Sequence, residues 1–138
     1  MRFLAILLGA AAIGSCTTAP PSPDGQAMTA REQAELAQLT AGKVAGAPVT
    51  CLPHYYTKDM ITIDDRTVAF RVSRGRVYLN GMNGGCPSLR PPYALVTRQF
   101  GTANLCRGDI AQVVDTSTGA SFGSCVFGNF IPYTRPGA

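Results

Sequence analysis

The sequence predicts a mainly β domain, a small antiparallel sheet or barrel-like unit stapled by disulfides, with a short N-terminal helix. Three observations predict it. Val68, Phe70 and Val72 alternate with Ala69 and Arg71, the two-residue period of a half-buried strand. Gly- and Pro-rich breaks keep each later apolar run too short for a helix. Four cysteines, Cys51, Cys86, Cys106 and Cys125, are spread through the same stretch, and a core this small gains from covalent staples.

Met1-Arg2 is followed by an apolar run from Phe3 to Ile13 and then Gly14-Ser15-Cys16. A positive start, a short apolar stretch and small residues before a cut site define a secretory signal. The run falls short of the roughly 20 apolar residues that a spanning helix needs. Ile13-Gly14-Ser15-Cys16 resembles a bacterial lipobox, so residues 1–15 are expected to be removed and Cys16 to be acylated. The expected partner is then the lipid bilayer, held through Cys16. Thr17 rather than Asp follows Cys16, which favours the outer over the inner membrane, with the domain facing the periplasm.

Residues 17–28 (TTAPPSPDGQAM) offer little to pack and read as a flexible tether. Thr29-Ala30-Arg31-Glu32 fits a capping box, and Ala30, Ala34, Leu36, Ala37 and Leu39 support a short helix to about Thr40, with Gly42 as its stop. Residues 16–48 are thus expected to form a lipidated tether carrying a loosely docked helix, and residues 49–133 the β domain.

Within that domain Met60–Ile63 predicts a strand and Asp64-Asp65-Arg66 a turn. Val68–Val72 and Val77–Leu79 predict a hairpin across Ser73-Arg74-Gly75-Arg76. Residues 80–92 (NGMNGGCPSLRPP) read as a loop, 94–100 and 110–114 as strands, and 122–130 as one closing strand. Long Gly/Pro loops on stapled sheets often carry binding, so Asn80, Met82, Asn83 and Arg90 are the candidate contact residues.

The cysteine spacings exclude close metal-binding pairs and any Cys-x-x-Cys redox site. With Cys16 set aside, an even four are left to pair in an oxidising compartment. Three connectivities are open. The expectation adopted is Cys51 with Cys125, tying the domain ends, and Cys86 with Cys106, closing the middle segment.

Cys51-Leu52-Pro53, Asp65-Arg66-Thr67-Val68-Ala69-Phe70, Val77-Tyr78-Leu79-Asn80, Cys86-Pro87-Ser88-Leu89, Leu105-Cys106-Arg107-Gly108-Asp109 and Gly123-Ser124-Cys125-Val126-Phe127-Gly128 follow one another in order. The arrangement resembles a family of small Gram-negative lipoproteins, domain of unknown function 6491, over roughly residues 50–131. The resemblance implies an exported, disulfide-bonded domain and assigns no reaction.

Residues for catalysis are sparse. His54 is the single histidine, and a triad or metal site needs more partners around it. Asp64 and Asp65 are adjacent and suit a turn better than a carboxylate pair. Gly119-Ala120-Ser121-Phe122-Gly123 has the letters of a nucleophile elbow without a helix pattern after it. Gly81–Gly85 lacks the Lys-Ser/Thr of a phosphate loop. An enzyme would need a pocket where His54 meets Asp65 or Asp109. No cofactor or metal is expected. Net charge is +4, and Arg66, Arg71, Arg74 and Arg76 lack the interleaved aromatics of a nucleic-acid surface, so they read as a solvated hairpin face. The expectation is a non-enzymatic binding or structural module with an envelope protein as partner. The alternative is a periplasmic inhibitor or small-ligand-binding domain.

Overall fold

The structure is a computed structural model, and it describes residues 27–90, 92–98 and 104–137. The expected signal segment, Cys16 and most of the expected tether lie outside the described residues.

The α-helix among the described residues, α1 (Ala30–Thr40), starts where its cap chemistry places it. The Thr29 hydroxyl accepts from the Glu32 amide at 3.3 Å, and the Glu32 carboxylate accepts from the Thr29 amide at 2.6 Å. Gly42 ends it, with a left-handed φ of 66° just past the Ala41 cap.

Ten strands follow among the described residues: β1 (Val44–Ala45), β2 (Cys51–Pro53), β3 (Met60–Thr62), β4 (Thr67–Ser73), β5 (Arg76–Gly81), β6 (Tyr93–Thr97), β7 (Asn104–Cys106), β8 (Ile110–Asp115), β9 (Ser121–Val126) and β10 (Phe130–Thr134). They build three antiparallel sheets among the described residues: β1-β10-β5-β4-β3, β2-β7 and β6-β8-β9. The hairpin β4–β5 is the one the alternation predicts, Ala69 lying opposite Leu79 and Phe70 opposite Tyr78.

Alternation along these strands sends side chains to two sides of the five-stranded sheet. On one side Val68, Phe70 and Phe130 meet Leu52 and Leu105 of the small pair and Ala111, Val113 and Cys125 of the three-stranded sheet. The rings of Phe70, Phe127 and Phe130 lie 5.8 to 6.2 Å apart at its centre, within the range of favourable aromatic pairing. On the other side Ile63, Ala69 and Val77 are covered by Leu36 and Leu39 of α1 and by Met28. The layers are therefore helix, five-stranded sheet, and two smaller sheets.

Three expectations change. First, β1 pairs with β10 (Val44 opposite Thr134), and Met28 and α1 pack on the sheet, so residues before Val49 belong to the same packed unit as the β domain. The tripeptide-like signal of a two-residue edge strand is too short to read in sequence.

Second, the predicted closing strand is two strands in different sheets, β9 and β10, broken at Phe127-Gly128-Asn129. Asn80 explains the break. Its amide nitrogen donates to the Gly128 carbonyl at 2.9 Å, and its oxygen accepts from the Gly128 amide at 3.1 Å. One side chain thus takes the place of a strand partner while the chain crosses between sheets. Gly128 is required there, because a Cβ would collide with the Gly81 carbonyl oxygen.

Third, the disulfides are Cys51–Cys106 and Cys86–Cys125, not the expected pairs. Cys51 and Cys106 are register partners on β2 and β7, with Cα atoms 4.0 Å apart. Cys86 reaches Cys125 on the inner face of β9, 5.3 Å between Cα atoms. Closing sequence separations of 55 and 39 residues stabilises by about 4 kcal/mol each in the chain-entropy account.

Candidate functional site

The segment following β5 was the expected contact element, and its backbone is bonded inward along most of its length. The Met82 amide donates to the Arg66 carbonyl at 2.7 Å, the Asn83 amide to Val126 at 2.9 Å and the Cys86 amide to Asp65 at 2.5 Å. Met82, Cys86 and Leu89 are buried with the main core. The loop therefore joins the five-stranded and three-stranded sheets as a packed connector.

This corrects two of the four candidate contact residues. Asn80 is fully buried in β5, its amide taken up by Gly128 and by the Asn129 carbonyl at 3.2 Å. Met82 sits in the core. A contact role needs an accessible side chain, and neither is accessible. Asn83 and Arg90 are exposed, but each bends back on its own loop or neighbour. Asn83 donates to the Phe127 carbonyl at 3.4 Å, and Arg90 donates to the Pro87 carbonyl at 3.1 Å. No composition signal separates Asn80 from an ordinary loop asparagine; its tell is the strand register it shares with Val68 and Phe130.

Of the residues singled out for catalysis, Asp64 and Asp109 are held by local turns. Asp64 accepts from the Arg66 and Thr67 amides at 2.8 and 2.5 Å, the turn bonding expected of it. Asp109 accepts from the Cys106 amide at 2.7 Å and so closes the turn between β7 and β8. Asp65 offers its backbone carbonyl to Cys86. His54 opens a 3-10 turn, His54–Tyr56. Beside it Tyr56 stacks on Tyr78 with ring centroids 5.9 Å apart. A hydrogen bond with Tyr56 holds the Tyr55 phenol above its ordinary pKa. Ser121 opens β9 and is exposed, whereas a nucleophile elbow holds its serine between a strand and a helix. Among the described residues no three His, Cys, Asp or Glu side chains come together as metal ligands.

Two concave regions flank the helix. A cavity of about 280 Å³ lies where Thr29 and Glu32 approach Asp64, Asp65 and Arg90. Two of its three acids are occupied, Glu32 in the capping box and Asp64 in its turn. A groove of about 640 Å³ lies at the opposite end of the helix, under Leu39, Ala41 and Lys43. The arginines that cluster in sequence separate here. Arg71 and Arg74 line the groove, while Arg76 alternates to the face of β5 opposite Val77. Arg71 pairs with Asp59 at 2.8 Å, both side chains about half exposed, and this bond raises the pKa of its guanidinium.

No helix among the described residues is long and apolar enough to cross a membrane. Comparison with family models, with curated proteins and with solved structures returns no match to this chain.

Proposed function

We propose that this chain is a lipid-anchored module of the bacterial envelope, held by acylated Cys16 and serving as a non-enzymatic binding or structural element for an envelope protein. The observation that carries the reading is the use of the cysteines. Four of the five pair with one another in the folded domain, and such pairs persist where the surroundings are oxidising. The fifth, Cys16, follows an aliphatic and two small residues at the end of an apolar run. Two or three acyl chains on it make the attachment lasting, each buried CH₂ adding about 0.8 kcal/mol. The outer membrane is the favoured surface, with the domain in the periplasm.

Metabolic labelling with a fatty acid tests this directly. The wild-type chain should carry the label and fractionate with membranes, and Cys16→Ser should lose the label. Wild-type protein recovered unlabelled from the cytosol, with residues 1–15 intact, overturns the reading. Crosslinking in intact envelopes then identifies the partner.

A further inference from the structure

The groove at the far end of the helix gathers cations that the sequence keeps apart. Lys43 follows α1, Arg71 and Arg74 belong to the β4–β5 hairpin, and Arg135 follows β10. Glu35 is the one acid among its described lining residues.

The backbone beneath these side chains is tied together. The Arg135 amide donates to the Gly75 carbonyl at 2.8 Å, which clips the segment after β10 onto the hairpin turn next to Arg74. The Lys43 ammonium donates to the Leu39 carbonyl at 2.6 Å, holding its charge at the helix C-terminus, where a cation is favoured.

The four charges are not equivalent. Asp59 compensates Arg71, and the Lys43 ammonium is held by the Leu39 carbonyl. Arg74 and Arg135 make no ion pair with a described acid. Two guanidiniums without an acid partner thus line one groove on clipped backbone, an arrangement that favours an anion between them. A single carboxylate is saturated by one bidentate arginine, whereas a phosphoryl group has oxygens for two forks. The groove volume also falls within the usual range of small-ligand sites, about 300–1,000 Å³.

We propose that this groove binds a phosphate-bearing ligand, with Arg74 and Arg135 gripping its oxygens and Lys43 placed behind them. The shared chemistry is the phosphoryl anion, carried either by a free phosphate compound or by an anionic lipid headgroup. The site stands whether or not Cys16 is acylated, so its failure and that of the anchored module are separable.

The test is a titration of the full chain in nonionic detergent, followed by backbone amide shifts. One arm uses inorganic pyrophosphate and the other dihexanoyl phosphatidylglycerol. Saturable shifts at Lys43, Arg74, Gly75 and Arg135 are expected in at least one arm. The arm that saturates at lower concentration identifies the source. Affinity should fall as ionic strength rises from about 0.01 to about 0.15 M, where the Debye length shrinks from roughly 30 to 8 Å. The double variant Arg74→Glu/Arg135→Glu should bind at least about tenfold more weakly, and Lys58→Glu, an exposed cation elsewhere, should bind as wild type. Both arginines are exposed, so the double variant should keep the core spectrum; if it does not, Arg74→Gln alone carries the comparison. Absence of saturable shifts in both arms overturns the proposal. Unchanged affinity in the charge-reversed variant overturns it equally.

Discussion

The two sides of the five-stranded sheet are built on different principles. The side facing the smaller sheets holds twelve buried residues, three packed phenylalanines and the wholly interior Cys86. The side facing the helix holds three, Ile63, Ala69 and Val77, and no residue of α1 itself is buried. One side is held by long-range burial and covalent links. The other is held by local bonds, a capping box and a glycine stop, with two leucines resting on the sheet. Stability in this molecule therefore resides between sheets, and the helix is a cover that contributes little to it.

Four measurements break or sharpen that contrast. The largest effect is expected at Phe130, whose ring is fully buried between Phe70 and Phe127. Phe130→Ala should cost about 3–5 kcal/mol in denaturant unfolding, and a loss below about 1 kcal/mol would place the stability elsewhere. Next comes Asn80→Ala, which leaves the Gly128 amide and carbonyl buried without their partner; about 2–4 kcal/mol is expected from the two orphaned groups. On the helix side Leu39→Ala should cost only about 1 kcal/mol, because the side chain is half-buried and little cavity forms. Equal losses at Leu39 and Phe130 would erase the difference between the two sides.

The smallest effect concerns the turn between β8 and β9. Hydrogen bonds from Ser117 hold the Asp115 carboxyl below its ordinary pKa. A group depressed in the folded state stabilises fully above its unfolded value, and the contribution fades as pH falls through the folded one. The stability difference between wild type and Asp115→Ala should therefore shrink on acidification below the ordinary carboxyl range. A difference that stays constant across that window would show that the bonds do not favour the ionised form.

The same contrast governs what could be read in the sequence. Local features were legible. Thr29 and Glu32 announce the helix start, Gly42 its end, and Val68 to Leu79 the central hairpin, because each depends on neighbours within a few residues. Features made by distant segments were not. Cys51 meets Cys106 only because two three-residue strands pair, and nothing in either tripeptide names its partner. Asn80 and Met82 looked like loop residues because their companions, Gly128 and the three-stranded sheet, come from the far end of the chain. The groove cations show the same limit, since Arg135 comes beside the Arg74 turn only through the β10–β5 ladder and the bond from its amide to the Gly75 carbonyl.

The position of β10 has a consequence for how the molecule is made. It lies between β1 and β5, in the interior of its sheet, although it follows every other described strand along the chain. A polypeptide emerging amino end first thus presents β4 and β5 with one ladder unsatisfied until residues 130–134 arrive. Open edges of that kind pair readily with foreign strands. Until residues 130–134 dock, β1 and β5 each keep unpaired the edge that β10 covers, open to a strand from elsewhere.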